Sequence, residues 1–243
     1  TRESGVRSLE RNIASVIRKA ITEMLEKDKD NININTNYVK KYLGPYKFTY
    51  DKANKNDKVG VVMGMAWTGY GGDTLAIEAG IMNGSGKLEL TGQLGDVMKE
   101  SAMTGYSYVR SNCKKYNIDE NFYKYKDIHI HVPEGAVPKD GPSAGVTMVT
   151  AMVSALTGRP AKHNVAMTGE VTLTGNVLPI GGLKEKTLAA YRAGIDTIII
   201  PKENERDMVE LPKTIKKNIK FILAENVEDV VKTALKEEKN VAN

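Results

Sequence analysis

The segment 138–160 constrains the fold more than any other part of the chain, because it predicts a polar loop that runs into an apolar helix. Pro142 suits the first position of a helix, since its φ is already helical and its missing N–H would have no intrahelical partner. Gly158 and Pro160 predict the end of the helix. The apolar positions between them are Val146, Met148, Val149, Met152, Val153 and Leu156. Ser143 is therefore expected in the first turn.

A serine in a first helical turn is well placed to act as a nucleophile. The N–H groups of that turn have no intrahelical acceptor and lie at the positive end of the helix dipole. They can therefore stabilise the negative oxygen of a tetrahedral intermediate. A serine that only caps or decorates the helix start fits the local sequence equally well. The neighbourhood of Ser143 alone leaves both roles open.

A serine hydroxyl needs a base before it becomes a nucleophile, and no histidine or carboxylate is suitably placed in the sequence for a conventional triad. The candidate base is Lys186, on a helix predicted to start near Leu183. Three, four and seven residues beyond Lys186 are Ala189, Ala190 and Ala193, which leave room for a buried amine. Burial would have to lower the pKa of this lysine from about 10.4 to about 7–8 for it to act as a base at neutral pH.

The neighbouring Lys184 lies on the helix face of Leu188 and Tyr191, where its stem can extend along larger side chains to water. This placement favours Lys186 as the base. An ordinary solvated lysine at a charged helix start is nevertheless the simpler explanation of either residue when the pattern is taken alone.

The segment from Val132 to Ile200 closely resembles the proteolytic domain of the ATP-dependent Lon protease family, through the strings PEGAVPKDGPSAG, MTGEVTLTG, LPIGGLKEK and AAYRAGIDTIIIP. Upstream, GVVMGMAWT, GGDTLAIEA and KLELTGQLGDVMKES resemble the first half of the same domain. The resemblance implies a serine endopeptidase that degrades misfolded and regulatory proteins. It also implies an α+β fold related to a ribosomal-protein domain, with helices packed on several small sheets.

The resemblance assigns roles to four residues. It implies that Ser143 is the nucleophile and that Lys186, the second lysine of LKEK, is its general base. Thr168, in MTGE, is implied to help hold the amine, which a hydroxyl can do without restoring its charge. Asp140 matches a residue beside the nucleophile, where a carboxylate too close to Lys186 would raise the pKa of the amine and oppose its role.

The first residues, TRESGVRSLERNIASVIRKA, resemble the closing helix of the small lid subdomain of the AAA+ ATPase module in the same family, and Arg7 matches its second nucleotide sensor. The phosphate-cradling motif G-x-x-x-x-G-K-[S/T] is absent from the sequence. The segment 84–87, GSGK, is followed by Leu88 instead of a magnesium-binding hydroxyl, so a turn between two strands explains it better. We expect no cofactor in this chain, and ATP with magnesium in the full-length enzyme.

The expected organisation is a remnant of the lid subdomain at 1–50, a linker at 51–58 and the proteolytic domain at 59–243. Residues 1–60 hold 13 Lys and Arg against 8 Asp and Glu, which accounts for the whole net charge of +5. Because acids alternate with bases along an amphipathic helix at 7–27, we interpret this excess as a solvated face. The resemblance implies DNA binding for the full-length enzyme, but nothing in this sequence locates such a surface.

Strands and helices alternate along the rest of the chain, which predicts an α+β domain. A short helix is predicted at 36–43, and strands at 59–67, 73–82 and 87–93 are expected to form an antiparallel meander before a helix at 94–116. The later predicted strands are 127–132, 164–173, 177–180, 195–200 and 219–223, with a final helix at 226–238.

Two further patterns were weighed. G-x-S-x-G at 141–145 is typical of α/β-hydrolases and would indicate an esterase, but the only histidine after the serine is His163 and the serine follows a proline-containing loop instead of a strand. His129 and His131 share one face of a strand, which is compatible with two metal ligands. No third ligand is evident nearby, so we expect no metal.

The single cysteine, Cys113, permits no intrachain disulfide and is typical of a reducing compartment. The sequence shows no signal peptide and no apolar run of the roughly 18–20 residues that a membrane span needs. We expect a cytoplasmic protein without membrane contact, with the mitochondrial matrix as the alternative. The resemblance implies unfolded polypeptide substrates and a full-length homo-hexamer. The competing hypothesis is a latent module that is inactive outside that assembly.

Overall fold

The structure is a computed structural model, and it describes residues 5–45, 56–69, 71–133 and 137–237. The chain divides into two compact units, Thr1–Tyr50 and Asp51–Asn243. Most of the predicted linker, at 51–55, lies outside the described residues, as does the last residue of the predicted final helix. None of the described helices combines the length and the hydrophobicity that a membrane crossing requires.

The first unit contains two helices close to the predicted bounds, α1 (Arg7–Glu26) and α2 (Thr36–Leu43). The side chain of Asn35 caps α2 by accepting hydrogen bonds from two backbone N–H groups of its first turn. A small core joins Val16 and Ala20 of α1 to Tyr42 of α2. Several apolar residues of α1 are exposed, among them Leu9, Ile13, Ile17 and Ile21.

The described strands of the second unit are β1 (Val61–Thr68), β2 (Gly71–Asn83), β3 (Leu88–Thr91), β4 (Lys126–His131), β5 (Val165–Met167), β6 (Glu170–Val171), β7 (Val177–Leu178), β8 (Thr197–Pro201) and β9 (Lys220–Ala224). Its helices are α3 (Asp96–Ser111), α4 (Gly145–Thr157), α5 (Leu183–Arg192), α6 (Lys213–Asn218) and α7 (Val227–Ala234). Short 3₁₀ segments lie at Cys113–Tyr116, Phe122–Lys124, Pro142–Ala144 and Lys202–Glu210. The mixture of helices and strands confirms the predicted α+β class.

Most strands form one mixed sheet in the order β3-β4-β2-β1-β5-β8-β9, while β6 and β7 make a separate pair. This sheet is larger than the several small sheets that we expected. The predicted antiparallel meander is correct for β1 and β2 but wrong for β3, because β4 lies between β2 and β3 and runs parallel to β3. The Asp127 carboxylate accepts three hydrogen bonds of 2.8 Å from the backbone N–H groups of the turn 85–87. These bonds hold that turn against β4.

Three helix predictions need correction. The helix predicted to start at Pro142 begins at Gly145, because Pro142–Ala144 form a 3₁₀ turn, so Ser143 precedes the α-helix. The helix predicted at 94–116 ends at Ser111, since the side chain of Asn112 donates to the Tyr108 carbonyl and the chain continues as a 3₁₀ turn. The final helix ends at Ala234, because Leu235 is extended and bridges to Ala161. The 3₁₀ segment at 202–210 and α6 were not predicted.

The helix predicted after Ser143 is largely buried in the second unit. Every residue of α4 from Gly145 to Ser154 is buried, and the helix packs against α3, α7 and the sheet. It ends at Gly158, whose φ of 69° is the left-handed conformation that favours glycine at a helix terminus. Ser143 lies just before the buried amino-terminal end of α4 and is itself half-buried.

Candidate active site

Ser143 lies in the 3₁₀ turn Pro142–Ala144, which leads directly into α4. The chain enters this turn through Gly141, whose φ of 122° favours glycine. The Ser143 carbonyl accepts hydrogen bonds from the Gly169 N–H, at 2.9 Å, and from the Thr168 hydroxyl, at 3.2 Å. The connection between β5 and β6 therefore holds the serine turn from one side.

Lys186 brings its amine to this turn from α5. Its Nζ lies 3.0 Å from Ser143 Oγ and 3.1 Å from Thr168 Oγ1. The residue is only 3% exposed, and Thr168 is 1% exposed. The structure thus brings three of the four implied side-chain groups into direct contact.

The helical pattern around Lys186 is confirmed. Ala189, Ala190 and Ala193 are buried on the face of α5 that Lys186 shares, and they leave space for the lysine stem. Lys184, two residues earlier, is exposed, as its position on the opposite face predicts. The small side chains on one face of α5 are therefore what allows an amine to be buried there.

The surroundings of Lys186 favour its neutral form. Burial of the amine lowers the pKa of Lys186 from 10.5 to about 8. Lys186 is also the fourth residue of α5, where the positive end of the helix dipole opposes a second positive charge. An amine with this pKa can accept a proton near neutral pH.

Thr168 forms hydrogen bonds with both the amine and the serine turn. Its hydroxyl proton is donated to the Ser143 carbonyl, so its oxygen accepts a hydrogen bond from Lys186. A neutral amine that donates one N–H to Thr168 can direct its lone pair to the hydroxyl of Ser143, 3.0 Å away. The geometry is therefore compatible with proton transfer from Ser143 to Lys186.

Asp140 does not contact the lysine in this arrangement. Its Oδ1 accepts hydrogen bonds of 2.9 Å from the N–H groups of Met98 and Gly141. Met98 lies in the first turn of α3, so Asp140 supplies the cap that Gly95, the residue before the helix, cannot provide. Sequence reasoning also missed Ser101, whose hydroxyl donates to the Pro142 carbonyl at 3.2 Å.

The periodicity of α3 was the signal that could have identified Ser101. The buried positions of this helix include Met98, Ala102 and Gly105, which follow a helical spacing, and Ser101 lies beside them on the same face. A polar residue on an apolar face needs a partner.

Arg7, the possible nucleotide sensor, is the exposed first residue of α1 in the other unit.

The histidines have other partners. His163 Nδ1 lies 2.6 Å from Asp57 Oδ1, and its backbone N–H donates to the same carboxylate oxygen. His129 Nε2 and His131 Nδ1 lie 2.8 and 2.7 Å from the hydroxyl oxygen of Thr91. Within the described ranges, no group of three or more His, Cys, Asp or Glu residues is placed to hold a metal ion.

The sheet offers a strand edge beside this cluster. β1 pairs with β5 only through Met63 and Gly64, whereas its pairing with β2 continues to Thr68. In the part of the chain that the structure describes, residues 65–67 of β1 therefore pair with a strand only on the β2 side. Because β5 runs parallel to β1 and ends at Met167, this open edge begins level with Thr168.

Comparison with known families and proteins identifies the family of this chain. Residues 33–237 match the model of the Lon protease (S16) C-terminal proteolytic domain, and residues 1–32 match the Lon protease AAA+ ATPase lid domain. The chain is 72% identical over 235 residues to a protein named Lon protease from Clostridium acetobutylicum, with 97% of the chain and 30% of that protein covered.

Similar relatives come from other bacteria. The identity is 58% over 235 residues to the Lon protease of Finegoldia magna, covering 97% of the chain and 30% of that protein. It is 53% over 239 residues to Lon protease 1 of Bacillus subtilis, covering 98% of the chain and 31% of that protein. The chain therefore spans about 30% of the length of the curated relatives that it matches.

Proposed function

The chain belongs to the Lon protease family, and we propose that it hydrolyses peptide bonds through an acyl-enzyme on Ser143, with Lys186 as the general base. The observation that carries this proposal is the distance of 3.0 Å between Ser143 Oγ and the buried amine of Lys186. The pKa of about 8 for that amine supports the same assignment, because a usable fraction is then neutral near pH 7.

Acylation begins when Ser143 Oγ attacks the carbonyl carbon of the scissile peptide bond. Neutral Lys186 accepts the hydroxyl proton as the C–O bond forms, and backbone N–H groups of the 3₁₀ turn that carries Ser143 stabilise the oxyanion. The resulting ammonium gives the proton to the leaving nitrogen as the C–N bond breaks. An ester on Ser143 remains, and Lys186 is neutral again.

Deacylation uses the same base. Lys186 takes a proton from a water molecule that attacks the ester carbon, and then returns that proton to Ser143 Oγ as the ester C–O bond breaks. Throughout the cycle, Thr168 keeps the amine directed at Ser143 by accepting a hydrogen bond from one of its N–H groups. Thr168 therefore acts by orienting the base.

The open edge of β1 is the proposed binding surface for the substrate. An extended polypeptide can add to such an edge as a further strand through main-chain hydrogen bonds, which do not depend on side-chain identity. Because the edge begins level with Thr168, a peptide bound there would pass the Ser143 hydroxyl. This mode of binding suits unfolded polypeptides, which can adopt an extended conformation.

The activities of the full-length enzyme extend this proposal. We propose a cytoplasmic homo-hexamer whose ATPase module uses ATP and magnesium to deliver unfolded polypeptides to this site. Arg7 would act as a nucleotide sensor there. Any DNA contact belongs to a surface outside the site described above. In isolation the chain would cleave short or unstructured peptides slowly, and stably folded proteins not at all.

Hydrolysis of a fluorogenic peptide by single-residue variants tests the two assigned residues. Ser143→Ala should abolish turnover, and Lys186→Arg should lower kcat by about 10²–10⁴-fold, because a guanidinium does not become neutral. Lys184→Arg, on the exposed face of the same helix, is the matched control and should retain wild-type turnover. Hydrolysis that persists in purified Ser143→Ala, with contaminating proteases excluded, would remove the nucleophile assignment.

A further inference from the structure

The amino-terminal half of α3 contacts the chain on both sides of the glycine that precedes the serine turn. The Met98 N–H, in the first turn of α3, donates to the Asp140 carboxylate at 2.9 Å. One turn later along the same helix, the Ser101 hydroxyl donates to the Pro142 carbonyl at 3.2 Å. Since Pro142 directly precedes Ser143, these two hydrogen bonds restrain residues 140–142 and thereby the position of Ser143.

Packing adds to these hydrogen bonds. A Cβ atom at Gly95 would lie 2.3 Å from the Asp140 Cγ atom, so this residue must be small for the carboxylate to reach the helix end. A Cβ atom at Gly145 would lie 3.0 Å from Ser101 Oγ. The close approach of α3 to both ends of the serine turn therefore depends on two glycines.

We propose that Asp140 and Ser101 are positioning residues, which hold the serine turn against α3 and thereby place Ser143 Oγ within reach of Lys186. This inference rests on the proposed function of Ser143 and Lys186. In this role Asp140 acts by holding the serine turn against α3, and not by changing the charge of Lys186. Burial accounts for the lowered pKa of Lys186, while the Asp140 carboxylate is directed at two backbone N–H groups.

The two possible roles of Asp140 predict different responses to substitution. The amide oxygen of Asp140→Asn can still accept from the Met98 and Gly141 N–H groups, whereas Asp140→Ala removes the acceptor. A role through α3 therefore requires that asparagine restores what alanine loses. A role through charge requires that asparagine and alanine behave alike and shift the pH dependence of the reaction, because both remove the negative charge.

The experiment measures kcat and KM for a fluorogenic peptide between about pH 6 and pH 10, on the full chain. We expect Asp140→Ala and Ser101→Ala each to lower kcat about tenfold, with KM and the midpoint of the pH profile unchanged. Asp140→Asn should recover most of the wild-type kcat. Gly95→Ala leaves Asp140 in place but obstructs its carboxylate, so it should lower kcat as Asp140→Ala does. In the double variant, the two losses of kcat should be less than additive.

A second readout and a matched control separate positioning from stability. The rate at which a fluorophosphonate labels Ser143 should fall in parallel with kcat, and it reports on the nucleophile even when peptide turnover is slow. Asn226→Ala removes a helix cap from α7 in the same unit, so it should lower the thermal unfolding temperature without changing either rate.

Several outcomes would overturn the positioning role. These are wild-type kcat and labelling in both Asp140→Ala and Ser101→Ala, equal shifts of the pH profile in Asp140→Asn and Asp140→Ala, or an equal loss of kcat in Asn226→Ala. Any of them would leave the proposed function intact as long as Ser143→Ala is inactive. Hydrolysis by Ser143→Ala would instead remove the proposed function itself.

Discussion

At the scale of single residues, the chemistry of this site depends on keeping one amine uncharged. Lys186 is 3% exposed, and its closest polar contacts are the hydroxyl oxygens of Ser143 and Thr168, which carry no charge. A carboxylate in either place would stabilise the ammonium and raise the pKa. A threonine beside Lys186 therefore leaves the effect of burial on its pKa unopposed.

The pH dependence of the reaction follows from this pKa. Because the neutral amine is the active form and its pKa is about 8, we expect kcat/KM to rise about tenfold per pH unit below about pH 8 and to level off above it. Stopped or continuous peptide assays across this range measure the profile. Lys184→Arg should leave the midpoint where it is, while a midpoint near about 6.5 would point to a histidine base instead.

At the scale of secondary-structure elements, the position of Lys186 depends on how closely β2 approaches α5. A Cβ atom at Gly72, near the start of β2, would lie 1.9 Å from the Glu185 carbonyl oxygen and 2.9 Å from the Lys186 backbone nitrogen. Such distances require backbone to move, because the obstructing atoms are not the ends of flexible side chains. Gly72 therefore sets the separation between the strand and the helix that carries the base.

Gly72→Ala tests this contact. The added methyl group should displace the first turn of α5, and a displacement of about 1 Å at a catalytic group can lower kcat about 10²-fold. Gly80→Ala is the matched control on the same strand, because a Cβ atom there would have its nearest neighbour at 4.0 Å. Peptide turnover beside thermal unfolding measures both variants. Equal activity of Gly72→Ala and Gly80→Ala would contradict the role given to this contact.

At the scale of the whole molecule, each of the two compact units has a hydrophobic cluster of its own. Val16, Ala20 and Tyr42 form the cluster of the first unit, and two larger clusters fill the second. Among the described residues, those that form hydrogen bonds with the Ser143 and Lys186 side chains belong to the second unit. The chemistry that we propose therefore needs no group from the first unit.

This organisation predicts how the chain responds to nucleotide. Since its sequence contains no phosphate-cradling motif, we expect ATP with magnesium to leave the rate of short-peptide hydrolysis unchanged. Measuring that rate at several protein concentrations, alongside light scattering, also tests the latent-module hypothesis. Activity in a monomer would count against obligatory assembly, silence at every concentration would favour latency, and stimulation by ATP would contradict the prediction for nucleotide.

Patterns within short segments of the sequence determined the end of one helix and the buried face of another. Gly158 predicted the end of the buried helix, and the alanine spacing predicted which face of α5 is buried, because both depend on residues within a few turns of one another. Pro142 predicted the helix start slightly early, since a 3₁₀ turn precedes the first residue of α4, Gly145. The ordered motifs identified Ser143 and Lys186 as a pair. Sequence alone could not give the distance between them, since they are 43 residues apart and belong to different elements.

Only the tertiary structure decided the strand order and the support of the serine turn. β4 lies between β2 and β3, so the predicted meander is wrong for β3, and Asp127 beside it holds a turn about 40 residues earlier in the chain. Asp140 caps a helix whose first turn is 42 residues away. The physical reason is the same in both cases: a carboxylate binds whichever N–H groups the fold brings to it, and no local periodicity records which ones those will be.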